Sequence, residues 1–284
     1  MATLKQIRRR VRSVQSTRQI TKAMEMVAAA KLRKAQVRAQ AARPYAAATA
    51  AVLGRLAGAA RSCAHPLFER RDERRVLVVV VASDKGLCGS FNAHLLDRAE
   101  THIVAEVGWA RAAVMPVGQR AYRYFTYRDR PLWEAIEHLG DQIDATLVQS
   151  LSRRVTDAFL AHEVDRVEFV CTRFITTARR EVEICRVIPV APEQEQRQEI
   201  PYIFEPDAQA VLGALLPRCI RMRILSIIAD SLAAEHSARM LAMGNATRNA
   251  DDMIADLTLT ANKLRQSVIT KELLDIVGGS AGAS

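Results

Sequence analysis

From about Asp207 to Val277 the chain keeps a helical period with little interruption, and this run limits the possible folds more than any other feature. Ile220, Ile224, Ile227, Ser231, Ala234, Ala238, Leu241 and Asn245 are spaced by alternating fours and threes. After a slip, Ile254, Leu257, Ala261, Leu264 and Val268 take up the same spacing, and Ile269, Leu273 and Ile276 form a last stripe. At a rise of about 1.5 Å per residue, a helix of this length spans roughly 100 Å. That exceeds the diameter of a small globular domain, so the helix is expected to project and to need a partner along its seam.

The other end of the chain offers that partner. Leu4, Ile7, Val11 and Val14 follow the same alternation. Arg18 interrupts the line, and a second stripe is read through Ile20, Met24, Val27 or Ala28, Leu32 and Ala35. Its longer mean spacing predicts a locally relaxed supercoil. The helix is expected to continue to about Leu56 with a kink at Pro44, since proline removes a hydrogen bond and crowds the preceding turn. Ala and Met are matched on the two helices, in Ala23–Ala30 on one and in Leu232–Ala234 and Met240–Met243 on the other. One chain supplying both helices through a compact middle favours an antiparallel pair.

Between them the period changes. Val76–Ala82 is a short, mostly β-branched run, a buried strand by length and composition. It is the longest wholly apolar run, far short of the roughly 20 residues that cross a bilayer. Helical spacing follows at Phe91, Leu95, Ala99 and Ile103. Ala112–Val117 reads as a second strand. Residues 142–162 read as a helix with Ile143, Leu147, Leu151, Val155 and Phe159 on one face. Val167–Phe174 and Val182–Val190 read as strands joined by a polar turn at Thr176–Arg180. Strands alternating with helices imply an α/β domain. The expected architecture is therefore mixed α and β: a long antiparallel coiled coil of N- and C-terminal helices plus a central Rossmann-like α/β domain. The expected divisions are a helix over 1–57, a connector over 58–75, an α/β domain with a strand-rich end over 76–206, and a helix over 207–284.

Charge is concentrated at one end. Residues 1–40 hold eleven basic residues and one acid, Glu25, and so carry the whole formal excess of +10. Such a segment suits nucleic acid, an anionic membrane surface or an acidic protein partner. It also resembles a transit peptide in composition, but the helical pattern runs on past residue 30 without a break. A nucleic-acid role is opposed by an aromatic content of only 5% and by basic residues on several helix faces.

A search for catalytic chemistry finds none. Ser83-Asp84-Lys85-Gly86-Leu87-Cys88-Gly89-Ser90, after the first strand, is neither G-x-G-x-x-G nor a P-loop, and is read as a tight turn that needs its glycines. A dinucleotide-dependent enzyme would also leave both terminal helices unexplained. The six histidines show no metal-ligand spacing. Cys88 is read as a small apolar turn residue before an activated thiol. Five cysteines without a C-x-x-C fit a reducing compartment; Cys171 and Cys185 are placed to face each other on neighbouring strands, as free thiols. Glu235 and His236 are adjacent and so point to different helix faces. No catalytic, cofactor or metal residue is assigned.

Three motifs together resemble the γ subunit of F-type ATP synthases, in order and from end to end: Arg12-Ser13-Val14-Gln15-Ser16-Thr17-Arg18-Gln19-Ile20-Thr21-Lys22-Ala23-Met24-Glu25-Met26-Val27-Ala28-Ala29; the Ser83–Gly89 turn; and Ala238-Arg239-Met240 with Asn262-Lys263-Leu264-Arg265-Gln266-Ser267-Val268-Ile269-Thr270-Lys271-Glu272-Leu273. The resemblance implies a non-catalytic central stalk that couples ion-driven rotation of a membrane c ring to ATP synthesis or hydrolysis on an α/β hexamer. Its implied partners are α, β, ε and the c ring, with no nucleic acid and no nucleotide bound by this chain. It implies β-subunit contacts at Met24, Lys85, Cys88, Arg239, Gln266 and Thr270, and a foot on the c ring and ε at Tyr202 and Glu205. The implied location is peripheral, on the cytoplasmic face of a bacterial inner membrane. Gly244, Arg248, Ala261 and Leu264 depart from the family pattern, and Gly244 predicts a soft point in the long helix. A long cysteine-bearing insertion of the chloroplast kind is absent from the sequence, which argues against a thiol switch.

Overall fold

The computed structural model describes the backbone of residues 3–62, 65–190 and 207–281, and their side chains outside 39–47, 49–62, 208, 271–272 and 274–281. Tyr202, Glu205 and Cys63 lie outside the described residues, and so does the side chain of Pro44, where the kink was expected. The described elements are α1 (Leu4–Ser62), a 3-10 turn (Pro66–Phe68), β1 (Val76–Val81), α2 (Phe91–His102) running into a π turn (Ile103–Val107), β2 (Ala112–Val117), α3 (Gln119–Tyr127), α4 (Ala145–Leu160), β3 (Arg166–Phe174), β4 (Arg180–Ile188) and α5 (Ala208–Ala281). By contact density the chain divides into two compact units, Ala28–Arg239 and the terminal segments Met1–Val27 with Met240–Ser284.

In the larger unit the sheet has the order β2-β1-β3-β4. β1 is parallel to β2 and β3, and β4 closes one side as an antiparallel hairpin partner of β3. Every residue of β1 is buried, because helices cover both faces of the sheet. Leu77, Val79 and Val81 face α4 and the first part of α5, meeting Leu151, Val155, Phe159, Leu216, Ile220 and Ile224. Val76, Val78 and Val80 face α2 and α3, meeting Leu95, Ala99, Ile103 and Phe125. Asp144 caps α4 by accepting from the Thr146 amide at 2.8 Å. Pro217 stands inside α5 without ending it. Cys171 and Cys185 are free thiols two register positions apart on β3 and β4, opposite Glu183 and Phe169 respectively.

In the smaller unit α1 lies against α5. Arg18 pairs with Asp251 at 2.9 Å, and the hydroxyls of Thr21 and Thr247 are 2.9 Å apart. The lower number on one helix meets the higher on the other, so the two run antiparallel here. The expected second stripe of α1 holds at Ala28, Leu32 and Ala35 and is corrected at its start, where Thr21 and not Ile20 is buried. Ile20 and Val27 are 58% and 54% exposed, whereas Thr21 and Ala28 are buried. The buried line thus continues past Arg18 through polar Thr21. On α5 the expected seam holds through Ala238, then leaves Leu241 and Asn245 exposed and passes to Met243, Gly244 and Ala250. Ile254, Leu257, Ala261 and Leu264 are half-buried, as their spacing predicts, but Val268, Ile269 and Leu273 of the expected stripes are 42%, 49% and 58% exposed, and the side chain of Ile276 lies outside the described residues.

Candidate functional site

In a sheet of order β2-β1-β3 the crevice where doubly wound proteins bind ligands lies outside the carboxyl ends of β1 and β3, where the strand order reverses. Here the chain's own side chains fill it. Asp84 accepts three backbone N–H groups, from Gln119 at 3.2 Å, Leu139 at 3.0 Å and Gly140 at 2.9 Å. Gln119 opens α3, so the anion position at that helix N-terminus is occupied by Asp84. Gly118 has φ +96, and a Cβ there would lie 2.2 Å from the Ala82 carbonyl oxygen, so the turn tolerates no side chain. The 83–89 loop is bonded internally: Ser83 Oγ donates to the Lys85 carbonyl at 2.8 Å, and Asn92 Nδ2 donates to Cys88 Sγ at 3.1 Å.

Helix α5 completes the filling. Ser231–Arg239 are nine consecutive buried residues, so the helix is enclosed on all sides over this stretch. Ala234 and Ala238 pack against Cys88 and Phe91, with Phe174 at the margin. Ser231 Oγ accepts from the Thr172 amide at 3.2 Å, and Ser237 Oγ donates to the Thr177 carbonyl at 2.5 Å. Arg239 donates from one guanidinium nitrogen to the carbonyls of Lys85 at 3.2 Å and Gly86 at 3.3 Å, while its other terminal nitrogen pairs with Glu235 at 2.6 Å. His236 Nε2 lies 3.3 Å from the Asp141 carbonyl oxygen, and the Asp141 carboxylate pairs with Lys31 of α1 at 2.6 Å. Backbone groups of both loops therefore receive partners from α5, and α1 is tied to the same spot.

The electrostatics suit a closed joint. Burial raises the Glu235 pKa against the opposing pull of Arg239. Burial lowers His236 to about 4, so it is neutral at physiological pH. The hydrogen bond from Lys31 chiefly holds Asp141 below the usual carboxylate range. Burial pushes the Cys88 thiol up, which leaves it protonated and a poor nucleophile.

The sequence-derived contact residues fall into separate groups. Lys85, Cys88 and Arg239 are brought together at the joint, but only the Lys85 side chain is open, at 76% exposure. Cys88 and Arg239 are buried. Met24 is half-buried on α1, and Gln266 and Thr270 are exposed on α5 in the smaller unit. Sequence reasoning missed Asp84, Asp141, Glu235, His236 and Ser237. The available signal was the run Ser231–Ala238, which is crowded with small residues and carries no lysine or arginine.

Comparison with known proteins decides the family. The ATP synthase gamma chain of Desulforamulus reducens (strain MI-1) is 41% identical over 283 residues, covering 99% of both chains. That of Geobacter sp. (strain M21) is 41% identical over 286 residues, covering 99% of this chain and 98% of the other. The family profile described as ATP synthase matches residues 3–282. The chain belongs to the ATP synthase gamma-chain family. As a gamma chain it is a component of the ATP synthase complex and not an enzyme by itself. The fold agrees with a chain of the Euglena gracilis mitochondrial ATP synthase (OSCP/F1/c-ring), at TM-score 0.68 and 18% identity over 99% of this chain and 94% of the other. It also agrees with the Tetrahymena thermophila mitochondrial ATP synthase central stalk/c-ring, at TM-score 0.62 and 21% identity over 80% of this chain and 99% of the other. Among the described residues, no helix of this gamma-chain relative is long and apolar enough to cross a membrane.

Proposed function

We propose that this chain is the rotor shaft of an ATP synthase, with α1 and α5 wound as an antiparallel coiled coil inside a ring of α and β subunits. The observation that carries the reading is the joint at Ser231–Arg239. Here the α/β domain gives up its ligand crevice to grip a helix, which suits a part that transmits torque and not one that binds nucleotide. The exposed apolar residues of the terminal helices support it. Ile20, Met26, Val27, Met253, Leu259 and Ile269 are each about half exposed or more, and they offer a soft surface that re-packs against successive faces of a ring. The basic residues of α1 suit acidic segments on β.

In this account Met24, Lys85, Gln266 and Thr270 touch β directly, and Arg239 and Cys88 act by holding the loop that carries Lys85. Tyr202 and Glu205 belong to a foot on ε and the c ring, whose ion-driven turning reaches the ring through this chain. The complex sits on the cytoplasmic face of a bacterial membrane, with this chain peripheral. The working division is a helix over 1–57, a connector over 58–75, an α/β domain over 76–206 and a helix over 207–284. The test is co-expression with α and β from the same source, followed by size-exclusion chromatography and an ATPase assay. The proposal expects a stable complex that hydrolyses ATP while the isolated chain does not. A chain that stays apart from α and β, or hydrolyses ATP alone, overturns it.

A further inference from the structure

We infer that Arg239 is a positioning residue within this chain: it fixes the seat of the 83–89 loop on α5 and thereby aims the exposed pair Lys85 and Leu87. The consequence for rotation rests on the shaft reading, but the structural assignment stands on its own.

Arg239 is 9% exposed, so its guanidinium is turned inward. It bridges two consecutive carbonyls, of Lys85 and Gly86, at 3.2 and 3.3 Å, and Glu235 holds it from the preceding helical turn. A planar fork can join a carboxylate and two carbonyls at once; a lysine ammonium is a point donor and holds that geometry poorly. The loop it grips is not a relaxed turn. Leu87 adopts φ +63, in the left-handed region that non-glycine residues seldom enter, and its side chain is 63% exposed. A leucine held in that conformation with its side chain in solvent is maintained by the surrounding bonds and not by its own burial. The carbonyl immediately before it, that of Gly86, is one of the two that Arg239 binds. The next residue, Cys88, is anchored the opposite way, 2% exposed against Ala234 and Ala238. Arg239 and the Cys88 pocket therefore clamp the loop from two sides and leave Lys85 and Leu87 outward.

Cys88 reports the clamp. Alkylation of the full-length native chain with iodoacetamide, mapped by peptide mass spectrometry, compares Cys88 with Cys171, which is equally buried in the sheet core. Arg239→Met keeps an apolar stem without the donors. The double variant Glu235→Gln/Arg239→Met also removes the buried carboxylate charge, so a response there comes from the lost carbonyl grip. The expected result is labelling of Cys88 about tenfold faster or more in both variants, through local opening, with Cys171 unchanged. Arg239→Lys should fall between. Cys88 labelled no faster in the double variant overturns the assignment, as does parallel acceleration of Cys88 and Cys171, which would mean general loosening. The measurement needs no α or β subunit, so its failure is distinct from a failure of the chain to assemble with them.

Discussion

The carboxylate of Glu25 on α1 lies against the bare backbone of Gly244 on α5: a Cβ at position 244 would meet the carboxyl carbon at 3.5 Å and its oxygens at 3.6 and 3.8 Å. These are ordinary contact distances, so the glycine is not sterically required. Gly244→Ala should stabilise the paired helices by about 1 kcal/mol, the helix-propensity difference between the two residues. Urea unfolding followed by helical circular dichroism checks the direction. Amide exchange in the native chain should also be faster at 243–246 than in the flanking turns and slow in the alanine variant.

The Arg18–Asp251 pair joins the same two helices but is worth little. The side chains are 47% and 51% exposed, and exposed pairs contribute no more than about 1 kcal/mol. Arg18→Ala should therefore shift the unfolding midpoint slightly at low salt and hardly at all in about 1 M salt, where screening is strong. A large, salt-independent loss would show that Arg18 does something other than pair with Asp251.

Asp84 is expected to matter far more than its polar, half-buried position suggests. Removing its carboxylate strands three backbone donors at once, one of them on the buried Leu139. Asp84→Ala should cost about 3 kcal/mol in denaturant unfolding, and Asp84→Asn less, since one acceptor oxygen remains. An alanine variant as stable as the parent would mean that the donors find other partners.

His236 predicts an acid weakness. Its folded pKa is lowered by burial to about 4, so the neutral form is the folded form. The stability linked to it is complete above the unfolded value of 6.5 and is lost as pH falls from there toward 4, amounting to about 2 kcal/mol at pH 5. Asp141, held down chiefly by Lys31, adds a loss in the same direction at lower pH. Glu235, raised by burial, opposes both, because acid favours its folded form. Comparing unfolding free energies at pH 7 and pH 5 for the parent and His236→Gln should show a smaller drop in the variant. Equal drops would remove His236 from the account.

The sheet and the run of terminal helices were legible in the sequence because apolar periodicity reports them directly: Val76–Val81 has no other home than a strand covered on both faces. What was misread turned on polar residues doing apolar work. An isoleucine at position 20 draws the α1 stripe there, yet the Thr247 hydroxyl donates to that of Thr21, which donates to the Arg18 carbonyl, and so Thr21 takes the buried position. Helix α3 was overlooked because only Ala121 and Phe125 of its nine residues are buried, too few to mark a period. The resemblance implies a β contact at Arg239 and does not reveal that its guanidinium turns inward to two loop carbonyls distant in sequence. Such tertiary partners leave no trace in local spacing. The same holds for Glu235 and His236: adjacency set them on different faces, and the enclosing socket gave both faces something to bind.

Rotation of this chain within an assembled complex tests the central claim most directly. Tyr127, 89% exposed on the α/β domain, offers a site for a probe through Tyr127→Cys, with the α/β ring fixed to a surface. The shaft reading predicts that the probe turns steadily in one direction when ATP is added and stops when it is exhausted. A probe that stays still while the complex hydrolyses ATP would contradict it.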